Sequence, residues 1–425
     1  MENRRSFLTR AALGVAAAGV SSAPAASDQF VVGFIGTGIR ANASLIPQFK
    51  FNPGFRVAAL CDVYKPNLDE AATRVGGKVD TYGDYRRVLD RKDIDVVVIA
   101  TPDHWHVPML IEACEAGKDV YLEKPVSNEI DMCLKGIAAA RKYNRVVQVG
   151  LMQRSSVPFL EAYKEVRSGI LGKVRHVVVI NPGGSAPRRD QNVAGRGPQG
   201  SGETAAESSD PPPGLDWEMF QGPAPRRPYS YQRQRNWRSY WDYGCGPLSD
   251  WGVHLLDIAH WYMGVTKPSR SAAAAFGWFS RPQDDRVPDT NEISWQYPNF
   301  VADYSSRSDV LGTYLWGDEG MLFVNRYGYA VRPVTANWRS TGGKPPFEEK
   351  KVALHDEPPN YTASFESDCG RHIMNFLSCI KSRQRPVCDI EIGAFSTIPT
   401  LMGGLSIRNG GKTVAWNGHG AAVLA

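Results

Sequence analysis

The feature that most constrains this chain is a short apolar run, Phe30-Val31-Val32-Gly33-Phe34-Ile35, that passes directly into Gly36-Thr37-Gly38-Ile39-Arg40-Ala41. A strand feeding a G-x-G-x-x-A turn that opens a helix suits a dinucleotide. Gly36 permits the tight turn, Gly38 lets the backbone approach a pyrophosphate, and small Ala41 lets helix and strand pack closely while the helix N-terminus faces the negative charge. Asp62 follows the next apolar run, Arg56-Val57-Ala58-Ala59-Leu60-Cys61. A carboxylate there accepts hydrogen bonds from both ribose hydroxyls and repels a 2′-phosphate, so the expected cofactor is NAD rather than NADP. The expected contacts from this region are Gly36, Gly38, Ile39, Arg40 and Asp62.

Further short β-branched runs follow at residues 96–100, 120–122 and 146–149, separated by amphipathic stretches at 66–75, 107–116 and 130–143. Continuous apolar strands alternating with helices predict a doubly wound α/β sheet, a Rossmann domain over residues 29–150. Ligands of such sheets bind outside the carboxyl ends of the strands. Two motifs lie there, Thr101-Pro102-Asp103-His104-Trp105-His106 and Glu123-Lys124-Pro125. They add Thr101, Pro102, His106, Glu123 and Lys124 to the expected cofactor contacts. His104 and His106 could suggest a metal, but alternation in a loop points the two rings apart and no third ligand is local.

A length of 425 residues allows two or three domains, and residues 151–425 are read as the second. Residues 181–214 hold 13 Gly and Pro in 34 positions without a period, which marks a long insertion. Residues 215–251 then hold nine aromatics, with Arg226, Arg227, Arg233, Arg235 and Arg238 interleaved. That mixture suits a carbohydrate site, and equally an aromatic lid core or an oligomer contact. After residue 270, alternating aromatic-rich strands with short turns predict a mainly antiparallel sheet, one face of it packed. Helical stretches at 364–381 and 393–407 are expected to cover that sheet or pack on the junction.

The excess of 49 Lys+Arg over 44 Asp+Glu is dispersed, so no nucleic-acid or membrane partner is expected. Residues 1–26 have the layout of a cleavable export signal: Arg4-Arg5 before Phe7-Leu8, an apolar run too short to span a bilayer, and Ala23-Pro24-Ala25. The paired arginines resemble a twin-arginine signal, which implies a folded, periplasmic or otherwise exported protein. No later segment approaches the roughly 18 consecutive apolar residues of a membrane span. Seven cysteines without a Cys-x-x-Cys pair are read as free and mostly buried.

Together, the glycine loop, Thr101-Pro102, Glu123-Lys124-Pro125 and Gly244-Cys245-Gly246-Pro247-Leu248-Ser249-Asp250-Trp251-Gly252-Val253-His254 resemble the Gfo/Idh/MocA family of glucose-fructose oxidoreductases and inositol dehydrogenases, in particular its exported branch. The resemblance implies an α/β Rossmann domain followed by an α+β domain with an open-faced sheet, a homodimer or homotetramer, and NAD-dependent oxidation of a sugar or polyol hydroxyl. By the same resemblance His254 is the general base, Asp250 orients or charge-balances it, and Lys124 holds the reacting oxygen. Steps of four and three residues put Asp250, His254 and Asp257 on one helical face, with Asp257 serving the helix or the domain interface. An exported enzyme lacks an obvious pool of NAD to exchange with, so an NAD-retaining glycosidase, lyase or epimerase stands as the alternative. A zinc hydrolase built on Asp250, His254 and Asp257, and a carbohydrate-binding protein without turnover, are the remaining readings; the expected site holds no metal.

Overall fold

The computed structural model describes residues 29–182, 210–278, 285–306, 310–334, 347–353 and 367–424. The expected leader at 1–26 and most of the insertion at 181–214 lie outside them.

Six strands, β1 (Phe30–Ile35), β2 (Phe55–Cys61), β3 (Asp80–Tyr82), β4 (Val96–Ile99), β5 (Asp119–Leu122) and β6 (Val147–Val149), form one sheet. Its order is β3-β2-β1-β4-β5-β6 and every pairing is parallel. The order reverses about β1 and β4, which opens a crevice at their carboxyl ends. Strands such as Val96-Val97-Val98-Ile99 are wholly buried because helices cover both faces. These are α1 (Ile46–Phe51), α2 (Lys65–Val75), α3 (Arg86–Leu89), α4 (Asp103–Glu115) and α5 (Ile130–Lys142). A π-helical turn, Ala41–Leu45, leads from the glycine loop into α1.

The second domain starts with α6 (Val157–Arg167) and β7 (Val174–Ile180). Three short helices follow, α7 (Trp217–Gln221), α8 (Tyr231–Arg235) and α9 (Gly246–Asp250), and then the longer α10 (Gly252–Met263). Strands β8 (Ser271–Gly277), β9 (Thr290–Gln296), β10 (Val301–Ser305), β11 (Gly312–Gly317), β12 (Gly320–Val324), β13 (Gly328–Pro333) and β14 (Lys350–Ala353) come next. The described chain closes with α11 (Asp368–Ser382), α12 (Ile390–Arg408), β15 (Val414–Trp416) and β16 (Ala421–Val423). The ten strands join in the order β14-β13-β12-β11-β7-β10-β9-β8-β15-β16, antiparallel except where β7 meets β10. Alternation along β9, with Asn291, Ile293 and Trp295 buried and their neighbours exposed, gives the sheet one packed and one open face.

The two terminal helices divide their work. α12 is long and apolar enough to cross a bilayer, yet most of it is buried against α5, α10 and β8 as a core helix. α11 does not cover the ten-stranded sheet; it packs on the first one. Its Ile373 and Phe376 are buried in one cluster with Phe34, Phe49 and Tyr121, and Phe376 stacks on Phe55 at 6.4 Å. Full burial of one such side chain contributes about 1.5–3 kcal/mol, so the chain's last quarter helps hold the first domain. All seven cysteines are free and buried.

Candidate functional site

The glycine loop is built by backbone bonds that leave one side of it open. Gly36 has φ +85°, and a Cβ there would come 2.7 Å from the Ala100 carbonyl, so only glycine fits between β1 and β4. At Gly38 a Cβ would meet nothing within 4 Å, because this position faces a cavity. Asp62 Oδ2 accepts from the Thr37 amide at 2.7 Å and the Thr37 hydroxyl at 3.1 Å, and its Oδ1 accepts from the Tyr64 amide at 2.8 Å. Asp62 therefore clamps the loop as well as lining the cavity. Burial pushes its carboxyl up from the ordinary value in spite of these donors.

Gly36, Gly38, Ile39, Arg40, Asp62, Thr101 and Pro102 all line this cavity. Thr101 Oγ1 is buried without a partner, and the open cradle at Gly38 lies in the same wall, so the residues present fit a dinucleotide. The opposite wall is a surprise. Leu215, Met219, Phe220, Gln234, Arg235, Trp237 and Arg238 supply it, which puts part of the aromatic and arginine-rich segment over the cofactor site.

Three expected contacts act from behind the wall. Glu123 accepts from Arg40 Nε at 2.7 Å, and Arg40 in turn faces the cavity. Burial opposes ionisation of Glu123, yet Arg40 and Lys124 keep its carboxyl below the usual range. His106 is buried, with Nδ1 2.7 Å from the Pro125 carbonyl and Nε2 2.9 Å from the Thr101 carbonyl; as a neutral ring it donates to one of them, and it does not line the cavity. The motif carrying it is helical from Asp103, where a loop was expected, because Pro102 caps α4. Lys124 does not line the cavity either.

Lys124 Nζ lies 2.5 Å from Asp250 Oδ1 and 2.9 Å from the Asp250 carbonyl. Arg238 Nε reaches the same Oδ1 at 3.2 Å, which links the cavity wall to this pair. Burial alone would raise the Asp250 carboxyl, but Lys124 and Arg238 hold it well below the usual carboxylate range. The expected stripe on one helix is interrupted: α9 ends at Asp250 and α10 begins at Gly252. Asp250 pairs with Lys124, and its charge also acts on His254. His254 is buried, its Nδ1 has no partner, and burial together with Lys124 and Arg326 drives its pKa well below the ordinary value. It is therefore a neutral imidazole at neutral pH, with Nδ1 left open.

Asp257 points elsewhere. It receives two 2.8 Å bonds from Arg154 and one of 2.8 Å from Ser396, joining the link after β6 to α10 and α12. Among the described residues no three His, Cys, Asp or Glu side chains gather closely enough to share an ion. The site also holds a residue the sequence reading passed over. Asp103 is buried at the start of α4, its Oδ2 3.3 Å from where a Cβ of Gly244 would be, and burial pushes its carboxyl up to about 8 against the pull of Arg238 and Lys124. Its position directly after Thr101-Pro102 was the available signal.

Residues 30–151 match the model of an oxidoreductase family with an NAD-binding Rossmann fold, and residues 161–324 match that family's C-terminal alpha/beta domain. A glycosyl hydrolase family 109 protein of Shewanella sp. (strain W3-18-1) is 33% identical over 157 residues, 34% of this chain and 33% of that protein. The chain thus spans about a third of the length of the curated relatives it matches. Among solved structures, an aldose-aldose oxidoreductase from Caulobacter crescentus has a TM-score of 0.64 at 21% identity, covering 91% of this chain and 100% of its own. The WlbA dehydrogenase from Bordetella pertussis, in complex with NADH and UDP-GlcNAcA, has a TM-score of 0.64 at 16% identity, covering 92% and 99%. At such identities the likeness is one of fold.

Proposed function

The chain belongs to the NAD-binding Gfo/Idh/MocA oxidoreductase family, and on that premise we propose that it oxidises a hydroxyl-bearing carbon of a sugar or polyol. The observation that carries this reading is the Lys124–Asp250 pair, joined through Arg238 to the cavity wall, with the buried His254 four residues on and subject to both charges. When bound, NAD supplies the acceptor for the hydride of the oxidised carbon. His254, neutral and buried, takes the hydroxyl proton as the carbonyl forms. Lys124 donates to the reacting oxygen and offsets its developing negative charge. Asp250 fixes the Lys124 ammonium, and Glu123 holds Arg40 on the cavity wall. Asp62 favours NAD over NADP by its negative charge beside the ribose site. Denaturing the purified protein and identifying the released nucleotide tests this: NAD(H) is expected, and chiefly NADP(H) contradicts the reading of Asp62.

A second reading, an NAD-retaining glycosidase, lyase or epimerase that passes through a transient keto-sugar, draws on the 33% identity to a glycosyl hydrolase family 109 protein. It predicts product formation without added NAD and return of the same hydrogen from the nicotinamide to the oxidised carbon. Exchange of a deuterium label into bulk nicotinamide during turnover contradicts it.

The proposal extends to location and assembly. Export by the twin-arginine route predicts that replacing Arg4 and Arg5 together by lysine leaves folded precursor in the cytoplasm, and unchanged export returns the leader to the general secretory route. A homo-oligomer formed through the open face of the ten-stranded sheet accounts for the exposed Val301 and Trp316, which flank His176 in register across β10, β7 and β11. Sedimentation of a Trp316→Glu variant as a smaller species supports that interface; an unchanged species removes it.

A further inference from the structure

The segment from Gly214 to Arg238 supplies part of the lining of the dinucleotide cavity and is tied down along its length. At its start the Lys65 amide donates to the Gly214 carbonyl at 2.8 Å and the Asp216 amide to the Val63 carbonyl at 2.9 Å. At its middle Trp105 Nε1 donates to the carbonyls of Met219 at 3.1 Å and Phe220 at 3.0 Å, and His104 Nε2 lies 3.1 Å from the latter. At its end Arg235 lies over the Tyr64 ring at 5.7 Å, while Arg238 stacks on Trp237 and bonds Asp250. Its Trp217, Phe220 and Tyr229 pack with Tyr240 and Tyr243, just beyond its end, in a separate aromatic core. Gly222 lets it approach α4: with φ +51°, a Cβ there would stand 2.0 Å from the Trp105 ring.

We propose that this segment is a fixed roof that keeps NAD in the cavity from one turnover to the next, with Arg235 and Trp237 as cofactor contacts on its underside. The proposal rests on the cavity being the NAD site. Its floor is the glycine loop and Asp62, and its far wall is Leu215, Met219, Gln234, Arg235 and Trp237. A dinucleotide lying between them leaves only when the roof lifts, and lifting breaks the bonds to Trp105 and His104 and unpacks the aromatic core from α4. Release is then set by this local opening and not by contacts to the nucleotide alone. The roof also carries Arg238 to Asp250, so the element that closes over the cofactor completes the charge balance of Lys124.

The test loads the full-length protein with NADH, mixes it with excess NAD+, and follows loss of bound-nicotinamide fluorescence. Gly222→Ala drives a methyl group into Trp105 and holds the roof off its anchor; release at least about tenfold faster than in the wild type is expected, the equivalent of weakening the closed state by about 1.4 kcal/mol. Arg235→Ala, which removes an underside contact and the tie to Tyr64, and Trp237→Ala, which removes an underside contact and the ring beneath Arg238, should each speed release as well, and they decide the matter if Gly222→Ala lacks a native near-ultraviolet circular dichroism spectrum. Release at the wild-type rate in the folded variants overturns the roof. A wild-type protein that neither carries bound nucleotide nor takes up NADH overturns the assignment of the cavity itself, and the roof with it.

Discussion

Lys124 binds Asp250 twice, through the carboxylate at 2.5 Å and through the backbone carbonyl at 2.9 Å. The second bond exists because the helix breaks at Trp251: the His254 amide donates to the Trp251 carbonyl at 3.0 Å, which leaves the Asp250 carbonyl free of its usual partner four residues on. A local irregularity in the second domain thereby becomes a receptor for the lysine of the first. The pair is mostly buried, with side-chain exposures of 13% and 19%. Removing one partner of a buried pair costs about 3–5 kcal/mol, and Arg238 remains beside Asp250 to reduce that cost. Lys124→Ala should lower the denaturant midpoint of unfolding, and adding Asp250→Leu should recover part of it. Equal and additive losses in the two single variants and the double variant contradict the coupling.

Gly36 and Gly38 differ in what a side chain would meet, and their substitutions should fail differently. Gly36→Ala strikes the Ala100 carbonyl from a positive-φ position and should destabilise the fold itself. Gly38→Val enters open space and should leave the unfolding midpoint near that of the wild type while abolishing NAD binding, measured by calorimetric titration. Normal NAD affinity in folded Gly38→Val refutes the loop as the pyrophosphate cradle.

Acid should loosen the protein through its buried histidines. Burial lowers His104 and His372 from 6.5 to about 4 and His260 to about 3, and lowers His106 and His254 as well. Between pH 6.5 and about 3 the unfolded chain binds protons that the folded chain refuses, so these groups support the fold fully above 6.5 and progressively less as pH falls through that window. Urea midpoints should drop between pH 7 and pH 5. A constant midpoint contradicts neutral burial of these rings.

Asp103 acts in the opposite sense at higher pH. Its folded value of about 8 lies above the ordinary 3.8, so the folded chain holds a proton that the unfolded chain has lost. Its contribution to stability is full below about pH 4 and is lost as pH rises to about 8. Arg238, Lys124, Asp250 and Glu123 are the charges that face it. Asp103→Asn should therefore gain stability relative to the wild type as pH rises from about 4 to about 8, read as the difference between the two midpoints. A difference that does not change with pH removes the raised value.

Legibility of this chain in its sequence followed the range of the interactions involved. The strand, Gly36 turn and helix are local, and Asp62 stands one strand away, so spacing alone located the cofactor cradle. Period reported which faces of residues 364–381 are apolar but not what they meet, and Phe376 found Phe55 in the first sheet. Likewise the composition of residues 215–251 left a sugar site, a lid core and an oligomer contact open, because aromatic rings and arginines serve all three. Asp250 and His254 are four residues apart, yet a break at Trp251 and the reach of Lys124 decide their partners. His106 lies in a motif correctly placed at the crevice, while its ring turns to the Pro125 and Thr101 carbonyls.

The central claim is that a sugar or polyol delivers hydride to NAD beside His254. The most direct measurement mixes full-length protein holding NAD with a panel of aldoses and polyols and records the fluorescence of reduced nicotinamide. The wild type should reduce its cofactor with at least one of them, and His254→Ala should keep NAD bound while reducing it about 100- to 10,000-fold more slowly. No reduction by any of the compounds in the wild type, or reduction at the wild-type rate in His254→Ala, contradicts the account.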